Sequence, residues 1–307
     1  MGDDENMPEK SEKKIDIAKQ TIEKHIDFLR CPLCGAAFAF DNYSLKCQNN
    51  HAYDIARKGY MNLFNGYTKI IKTYDKKLFA ARKIISDSGL YARLCEKLCE
   101  ILAPLVKGGM SRRTGGIGAI LDAGCGCGNL TADIFNNTGR PLTFAVDLSK
   151  DGIDFAASNF CEKDLLWIVG NLNELPIADD KIDVILNIMS PANYAEFIRV
   201  LKPGGVLLKV LPDSDYLKEL RRFIYQENDK NEYSNKDVLS NLSENMTVSE
   251  IIDVNYTHKI PAENIPALFD MTPLTLNISE REKIRGELTK QDNLDVTLAF
   301  KIAVCKI

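Results

Sequence analysis

The sequence predicts an α/β protein with a mostly parallel sheet, helices on both faces, and a small N-terminal module that binds a metal ion. Three features predict this fold class. A glycine-rich turn at residues 119–131 follows a short apolar run, later apolar runs each end in a polar residue, and a Cys-x2-Cys pair near the N-terminus precedes a Cys/His pair. A chain of 307 residues can form one large domain and one smaller one.

Composition indicates the cellular compartment. The chain has no apolar stretch of the length that a membrane span needs, and it has no secretory signal pattern at its start. Its nine cysteines then indicate a reducing cytosol, where thiols act as metal ligands or core residues. We therefore expect a cytoplasmic protein with no membrane partner.

The chain divides into four segments. Residues 1–29 predict a polar leader and one amphipathic helix, because apolar side chains recur at helical spacing at Ile15, Ala18, Ile22, Ile26 and Leu29. A metal module over residues 30–66 follows. Residues 67–118 predict a helical connector that ends in a glycine-rich linker. Residues 119–307 form the main α/β domain.

The metal module contains four residues with the spacing of a zinc site, namely Cys31, Cys34, Cys47 and His51. Two thiolates on one turn, with a thiolate and an imidazole on another, can close a tetrahedral site on Zn²⁺. Four protein ligands leave no open position, so we expect a structural zinc that stabilises a segment too short to fold around a core of its own. The alternative is a set of unliganded cysteines and a chance histidine.

Residues 30–90 are basic, with ten Lys and Arg against four Asp, although the whole chain has a net charge of -4. This asymmetry fits a basic module that meets phosphates beside an acidic catalytic domain. A solvated basic face is the alternative. Aromatic side chains that could stack on unpaired bases, or pack the small module, are Tyr53, Tyr60, Phe64, Tyr67 and Tyr74.

The glycine-rich turn has the features of a cofactor loop. Residues 119–121 predict a buried strand, Asp122 follows it, and three glycines lie where the strand would turn into a helix, at Gly124, Gly126 and Gly128. These glycines let a flat ligand lie against the main chain. The third glycine comes one residue too early for the dinucleotide fingerprint, and no Gly-Lys-Ser/Thr follows, which excludes a P-loop.

This spacing resembles motif I of the S-adenosylmethionine-dependent methyltransferases of Rossmann-like fold. Two later strands supply the partners that such a cofactor needs: Asp147 can accept both ribose hydroxyls, and Asn171 can read the adenine edge. The other candidate cofactor residues, beside Asp122 and the three glycines, are Asn129, Leu130, Leu148, Leu172 and Asn187. Ordinary βα turns of another doubly wound domain are the alternative.

A longer part of the chain resembles the bacterial 23S rRNA guanine-N1 methyltransferases, which join an N-terminal zinc module to a methyltransferase domain. The resemblance covers the zinc-site residues, residues 53–63 (YDIARKGYMNL), residues 80–83 (AARK), the glycine turn and the tripeptide at 271–273 (MTP). It implies a seven-stranded, mostly parallel sheet, and S-adenosylmethionine and structural zinc as cofactors. It also implies methylation of N1 of a guanine in a 23S rRNA hairpin, a change that alters antibiotic sensitivity in some members, and it allows a homodimer.

Two departures from the family pattern concern the RNA target. The leader of about thirty residues is absent from that pattern, and the loop over residues 65–74 is shorter and lacks the usual glycine before Asp75. Both segments belong to the side expected to meet RNA. They therefore bear on the target nucleotide more than on the chemistry.

Methylation at guanine N1 requires an unpaired or flipped base and an acceptor for the N1 proton. The pocket should lie beyond the carboxyl end of the fourth strand, where the candidates for holding the guanine are Asn187, Ser190 and Pro191. Carbonyl groups of the turn at 190–191 could accept hydrogens from guanine N1 and N2. Asp75 and Glu227 are candidate proton acceptors, with a structural role as the alternative for each. Arg82 could pair with Asp75 or with a phosphate.

Two other classes of function are compatible with parts of the sequence. A small-molecule or other-RNA methyltransferase would share the cofactor motifs but would have little use for a basic zinc module. A non-catalytic RNA-binding protein would be expected to lose Asp147 or the glycines, and this chain retains them.

Overall fold

The computed structural model describes residues 12–64, 66, 75–108, 118–225, 234–276, 278 and 280–307. Helix α1, Lys14–Lys24, buries Ala18 and Ile22 and is followed by a 3-10 turn over Ile26–Phe28. The predicted amphipathic helix is therefore present, and its apolar face packs against the rest of the protein.

A three-stranded antiparallel sheet, in the order β1-β2-β3, forms the N-terminal module. Its strands are β1, Phe38–Asp41, β2, Ser44–Cys47, and β3, Ala52–Asp54. In β2 the buried Leu45 and Cys47 alternate with the more exposed Ser44 and Lys46, which is the period of a strand with one face covered. One face of this sheet therefore packs inward and the other meets solvent.

The main sheet has eight strands in the order β10-β11-β9-β8-β5-β6-β7-β4. They are β4 (Tyr60–Asn62), β5 (Ile120–Ala123), β6 (Thr143–Asp147), β7 (Leu165–Val169), β8 (Ile182–Ile188), β9 (Leu201–Pro212), β10 (Thr247–Pro261) and β11 (Asn293–Lys306). Only β11 runs antiparallel to its neighbours, β9 and β10, and the other pairings are parallel. The predicted mostly parallel α/β class is confirmed.

The expected count of seven strands is wrong by one, because β4 adds an eighth strand at the edge. Tyr60 pairs in parallel with Trp167, and Asn62 pairs with Val169 of β7. The segment predicted as the zinc module thus contributes a strand to the main sheet. A run of three residues is too short for a periodicity signal, so this pairing could not be anticipated.

The part of the chain that the structure describes has nine further α-helices. They are α2 (Lys76–Asp87), α3 (Ala92–Gly108), α4 (Asn129–Asn137), α5 (Lys150–Asn159), α6 (Tyr194–Val200), α7 (Lys218–Tyr225), α8 (Lys236–Asn245), α9 (Ile265–Met271) and α10 (Arg281–Leu288). None of these described helices is long and apolar enough to cross a bilayer. One buried cluster joins Leu45 of the module to Leu121 and Phe144 of the main sheet, so the module shares a continuous core with the sheet.

Candidate cofactor site and zinc centre

The four predicted zinc ligands converge at one end of the module. Their ligand atoms all lie within 4.8 Å of one another. Sγ of Cys34 is 3.7 Å from Sγ of Cys47, and Nδ1 of His51 is 3.4 Å from Sγ of Cys31. A tetrahedral zinc with Zn–S bonds of about 2.3 Å would hold two sulfurs about 3.8 Å apart. The donor set therefore fits a closed structural zinc site.

The surroundings of the two cysteines in the Cys-x2-Cys pair differ. A backbone hydrogen bond from Ala36 is the largest cause that lowers the pKa of the Cys34 thiol to about 6. Burial raises the pKa of the Cys31 thiol. A metal ion holds both sulfurs as thiolates, so zinc binding and folding of this module are coupled.

The glycine turn between β5 and α4 is shaped by close contacts. Gly124 has a left-handed φ of 91°, and a Cβ atom at this position would collide with Oγ of Ser190. A Cβ atom at Gly128 would collide with the ring of Trp167. Gly124 thus lets the turn meet the loop after β8, and Gly128 lets α4 pack onto β7. The predicted substrate residue Ser190 and the predicted cofactor residue Gly124 are therefore neighbours.

The carboxylate before the turn is buried. Asp122 is 3% exposed, and its Oδ2 accepts a 2.6 Å hydrogen bond from the hydroxyl of Thr131. Its Oδ1 is buried without a hydrogen-bond partner among the described residues. Burial raises the pKa of Asp122 to about 7, and the charge of Asp147 adds to the effect. A buried oxygen without a donor indicates a place for a ligand that brings a cation or an N–H group.

The carboxylate at the end of β6 ties the glycine turn to α5. Oδ2 of Asp147 accepts from the backbone N–H of Gly126 at 2.9 Å, and Oδ1 accepts from the N–H of Ser149 at 2.7 Å. Burial raises the pKa of Asp147, while these two donors lower it. Each oxygen retains a second lone pair, so this carboxylate can still accept ribose hydroxyls. The adjacent Leu148 is 40% exposed and offers apolar surface beside it.

The remaining predicted cofactor residues fall into two groups. Leu172 Cδ1 would lie 3.8 Å from a Cβ atom at Gly124, so Leu172 borders the turn. Oδ1 of Asn171 accepts the backbone N–H two residues later. Oδ1 of Asn129 accepts a hydrogen bond from the thiol of Cys127, and Leu130 packs against a buried hydrophobic cluster. Asn129 and Leu130 therefore hold the start of α4.

A buried polar network fixes the loop after β8. Nδ2 of Asn187 donates to the carbonyl oxygens of Ala123, at 2.6 Å, and Pro191, at 3.0 Å. The ammonium of Lys209 on β9 donates to Oδ1 of Asn187 and to the carbonyl oxygen of Ser190. The two carbonyls expected to receive guanine hydrogens thus already accept one hydrogen bond each. Asn187 acts on the site by holding this loop against β5.

Lys209 is a buried residue of this network that the sequence did not reveal. It is 2% exposed, and burial lowers the pKa of its ammonium group to about 8. A lysine within an apolar run is usually an exposed residue of a strand, so the residue type alone did not predict that Lys209 is buried. The available signal was its central place in a strand expected to be covered on both faces.

Of the two candidate proton acceptors, the structure describes Asp75, which lies at the start of α2. Oδ1 of Asp75 accepts the backbone N–H groups of Lys77 and Leu78, each at 3.0 Å, and so caps α2. This is the structural role given as the alternative for Asp75. Glu227 and the loop over residues 67–74 lie outside the described residues. Arg82 on α2 reaches the glycine turn, 3.6 Å from the place of a Cβ atom at Gly126.

Three features lie together at the carboxyl edge of one sheet: the glycine turn, an acid at the end of the next strand, and a buried loop after β8. Together they define a class I S-adenosylmethionine-dependent methyltransferase. A family model described as "Methyltransferase domain" matches residues 120–205. A zinc-ribbon model described as "RlmA, N-terminal" matches residues 29–69. The glycine cradle and the buried oxygen of Asp122 fit the S-adenosylmethionine of this class.

Two relatives define the family more closely. YxjB of Bacillus subtilis (strain 168), a candidate 23S rRNA (guanine-N(1)-)-methyltransferase, is 35% identical over 293 residues, covering 91% of this chain and 100% of that protein. The 23S rRNA (guanine(748)-N(1))-methyltransferase of Streptomyces fradiae is 35% identical over 199 residues, covering 64% of this chain and 67% of that protein. This chain belongs to the 23S rRNA (guanine-N1-)-methyltransferase family. A solved S-adenosylmethionine-dependent methyltransferase from Aquifex aeolicus is 15% identical with a TM-score of 0.44, covering 74% of this chain and 98% of that one.

Proposed function

We propose that this enzyme transfers the methyl group of S-adenosylmethionine to N1 of a guanine in a hairpin of 23S rRNA. The observation that carries this function is the 35% identity to the Bacillus relative over 293 residues, which spans the zinc module and the methyltransferase domain alike. A methyltransferase for small molecules would share only the second of these. An rRNA substrate also supports the proposal that the enzyme acts in the cytoplasm. We include in the proposal that methylation of this guanine alters antibiotic sensitivity.

S-adenosylmethionine supplies an activated methyl group on a sulfonium, so the protein must mainly align donor and acceptor. Asp147 would accept the ribose hydroxyls, and Asn171 with Leu172 would border the adenine. The unpartnered oxygen of Asp122 would receive the ammonium of the methionine end, either directly or through water. Gly124 and Gly126 let the cofactor lie against the main chain.

The guanine enters beside the loop at residues 187–191. Met189 in this loop has a left-handed φ of 49° and is 38% exposed, and such strain in a non-glycine residue is common at functional sites. The hydroxyl of Ser190 lies over Gly124, next to the cofactor turn. Ser190 and Pro191 therefore border both ligands and orient the base.

The ammonium of Lys209 lies directly behind this loop, bonded to the carbonyl oxygen of Ser190. A positive charge close to a bound guanine favours the form that has lost the N1 proton. Lys209 thus assists methylation without touching the base. Asp75 remains a candidate proton acceptor through its second oxygen, and Glu227 remains one as well.

The zinc module supports recognition of the RNA. Strand β4 pairs with β7, and the module shares its core with the main sheet, so the module keeps a fixed position relative to the cofactor site. A basic surface held at a fixed distance from the site can place one nucleotide of a hairpin in the pocket. The homodimer stays a prediction. A measurement of the molecular mass in solution would test it.

The decisive experiment is methylation of 23S rRNA from cells that lack the modification, with labelled S-adenosylmethionine and mapping of reverse-transcriptase stops. N1-methylguanine blocks base pairing, so we expect one new stop at a hairpin guanine. Binding of S-adenosylhomocysteine without methyl incorporation into rRNA would instead favour a small-molecule or other-RNA acceptor. RNA binding without either activity would indicate the non-catalytic alternative.

A further inference from the structure

The loop after β8 presents apolar side chains to solvent at the carboxyl edge of the sheet. Met189 is 38% exposed, and Pro191 is exposed as well. Ser190, which lies between them in the chain, faces the cofactor turn, because a Cβ atom at Gly124 would collide with its hydroxyl. An exposed apolar surface therefore adjoins the residue that meets the cofactor turn.

The backbone of Met189 is held in an unfavourable conformation. Its φ of 49° lies in the left-handed region, which glycine and asparagine adopt readily and a methionine adopts rarely. The N–H of Met189 donates to the carbonyl oxygen of Val210 at 3.0 Å, and the carbonyl oxygen of Ser190 accepts from the ammonium of Lys209. Glycine would fit this conformation better, so the methionine side chain itself has a use here.

Packing inside the protein does not account for that use. The three other methionines of the described part, Met61, Met246 and Met271, are only 1% to 5% exposed, whereas Met189 is 38% exposed. A methionine thioether is polarizable and makes favourable contacts with aromatic rings. Bases that leave their pair are held between aromatic or apolar side chains. An exposed methionine beside the cofactor turn therefore suits the face of a base.

We infer that Met189, with Pro191 beside it, forms the surface on which the target guanine stacks after it leaves its base pair. This inference rests on the proposed function and names the contact that holds the face of the base. Stacking is tolerant of base identity, because every base has a π-face. Met189 thus supplies affinity for an unpaired base, and the choice of guanine falls to the polar groups of the loop.

A double-mutant cycle between Met189 and the base tests this contact. One probe is a 23S rRNA fragment with the guanine mapped by reverse-transcriptase stops, and the other has an abasic site at that position. With S-adenosylhomocysteine present, Met189→Ala should raise the Kd for the intact RNA about fivefold to a hundredfold, the usual effect of losing a stacked base. The Kd for the abasic RNA should change less than about twofold, because it has no base to stack.

Three further variants separate the side chain from the backbone. Met189→Gly suits the left-handed φ, so it should unfold at a higher temperature than Met189→Ala and still lose the affinity for intact RNA. Met189→Leu keeps an apolar side chain of similar size and should retain most of that affinity. Ile198→Ala removes a side chain of α6 that is 36% exposed and should leave both RNA affinities unchanged.

Three results would overturn the inference. Equal losses for the intact and abasic RNA in Met189→Ala would show that Met189 contacts the RNA backbone or only supports the loop. Unchanged affinity for the intact RNA would exclude the stacking contact. A Kd for S-adenosylhomocysteine raised more than about threefold in Met189→Gly would assign the side chain to the cofactor turn instead. Failure of the wild type to methylate full-length 23S rRNA would refute the proposed function itself.

Discussion

Thr131 on α4 donates its hydroxyl to Oδ2 of Asp122 at 2.6 Å, and this leaves Oδ1 of the same buried carboxylate without a partner among the described residues. The hydroxyl fixes the orientation of the carboxylate at the end of β5. The other oxygen is thereby left available to a ligand of the site. Because burial raises the pKa of Asp122 to about 7, the group also lowers the stability of the ligand-free protein at neutral pH.

Replacing Asp122 by Asn should stabilise the ligand-free protein in a pH-dependent way. The folded-state pKa of Asp122 lies near 7, above the value in the unfolded chain. Between those two values the unfolded chain binds fewer protons than the folded one, so wild-type stability falls as pH rises. The advantage of Asp122→Asn should therefore grow from about pH 5 to about pH 7 and level off above it, as measured by the free energy of unfolding in denaturant.

The same variant should bind S-adenosylhomocysteine about tenfold more weakly, because an amide cannot offer a negative charge to an ammonium. Thr131→Val serves as the companion variant. Loss of its hydroxyl should raise the pKa of Asp122 further and extend the fall in stability to higher pH. An advantage of Asp122→Asn that is equal at about pH 5 and about pH 8 would contradict the assigned pKa.

Gly124→Ala should abolish cofactor binding through a clash and not only through backbone strain. The new methyl group would meet Ser190, whereas Gly139→Ala adds a methyl group at a similar φ of 83° with nothing within 4 Å. Gly139→Ala should cost about 1–2 kcal/mol in unfolding free energy and leave S-adenosylhomocysteine binding intact. Adding Ser190→Gly to Gly124→Ala should recover part of the affinity, and no recovery would count against the contact.

Lys209→Met should slow methylation and change its pH dependence. Without the ammonium, the loop at 187–191 loses a donor and the bound guanine loses a nearby positive charge. We expect a rate about tenfold to a hundredfold lower and a half-maximal rate at higher pH, with nearly unchanged S-adenosylhomocysteine affinity. Lys218→Met, which removes an ammonium paired with Asp215, is the matched control. A rate lowered equally at every pH would indicate that Lys209 only supports the loop.

Removal of one zinc ligand should separate RNA recognition from cofactor binding. Cys34 is exposed, so Cys34→Ser removes a ligand without creating a cavity. We expect loss of bound zinc by elemental analysis, loss of rRNA methylation, and a Kd for S-adenosylhomocysteine within about threefold of wild type. Cys99→Ser should keep the zinc and the activity. Simultaneous loss of cofactor binding in Cys34→Ser would show that the pairing of β4 with β7 transmits the damage to the site.

The zinc ligands and the glycine turn could be located from the sequence because each is a local pattern of residue types. Four ligands at fixed spacing can close one tetrahedron, and alternating glycines between a strand and a helix are typical of a loop that lies against a ligand. The acid Asp147 followed from the same logic, since parallel strands place their carboxyl ends at one edge. The helix α1 was visible from its apolar spacing.

Contacts between residues distant in the chain could not be found in this way. The pairing of β4 with β7, the bonds of Lys209 to the loop after β8, and the place of Arg82 beside Gly126 each join segments separated by many residues. Local periodicity shows which face of an element is buried but not which neighbour covers it. The sequence by itself therefore determined the class of enzyme and both cofactors. Only the tertiary structure decided which charged side chains surround them, because burial and proximity arise when the elements pack.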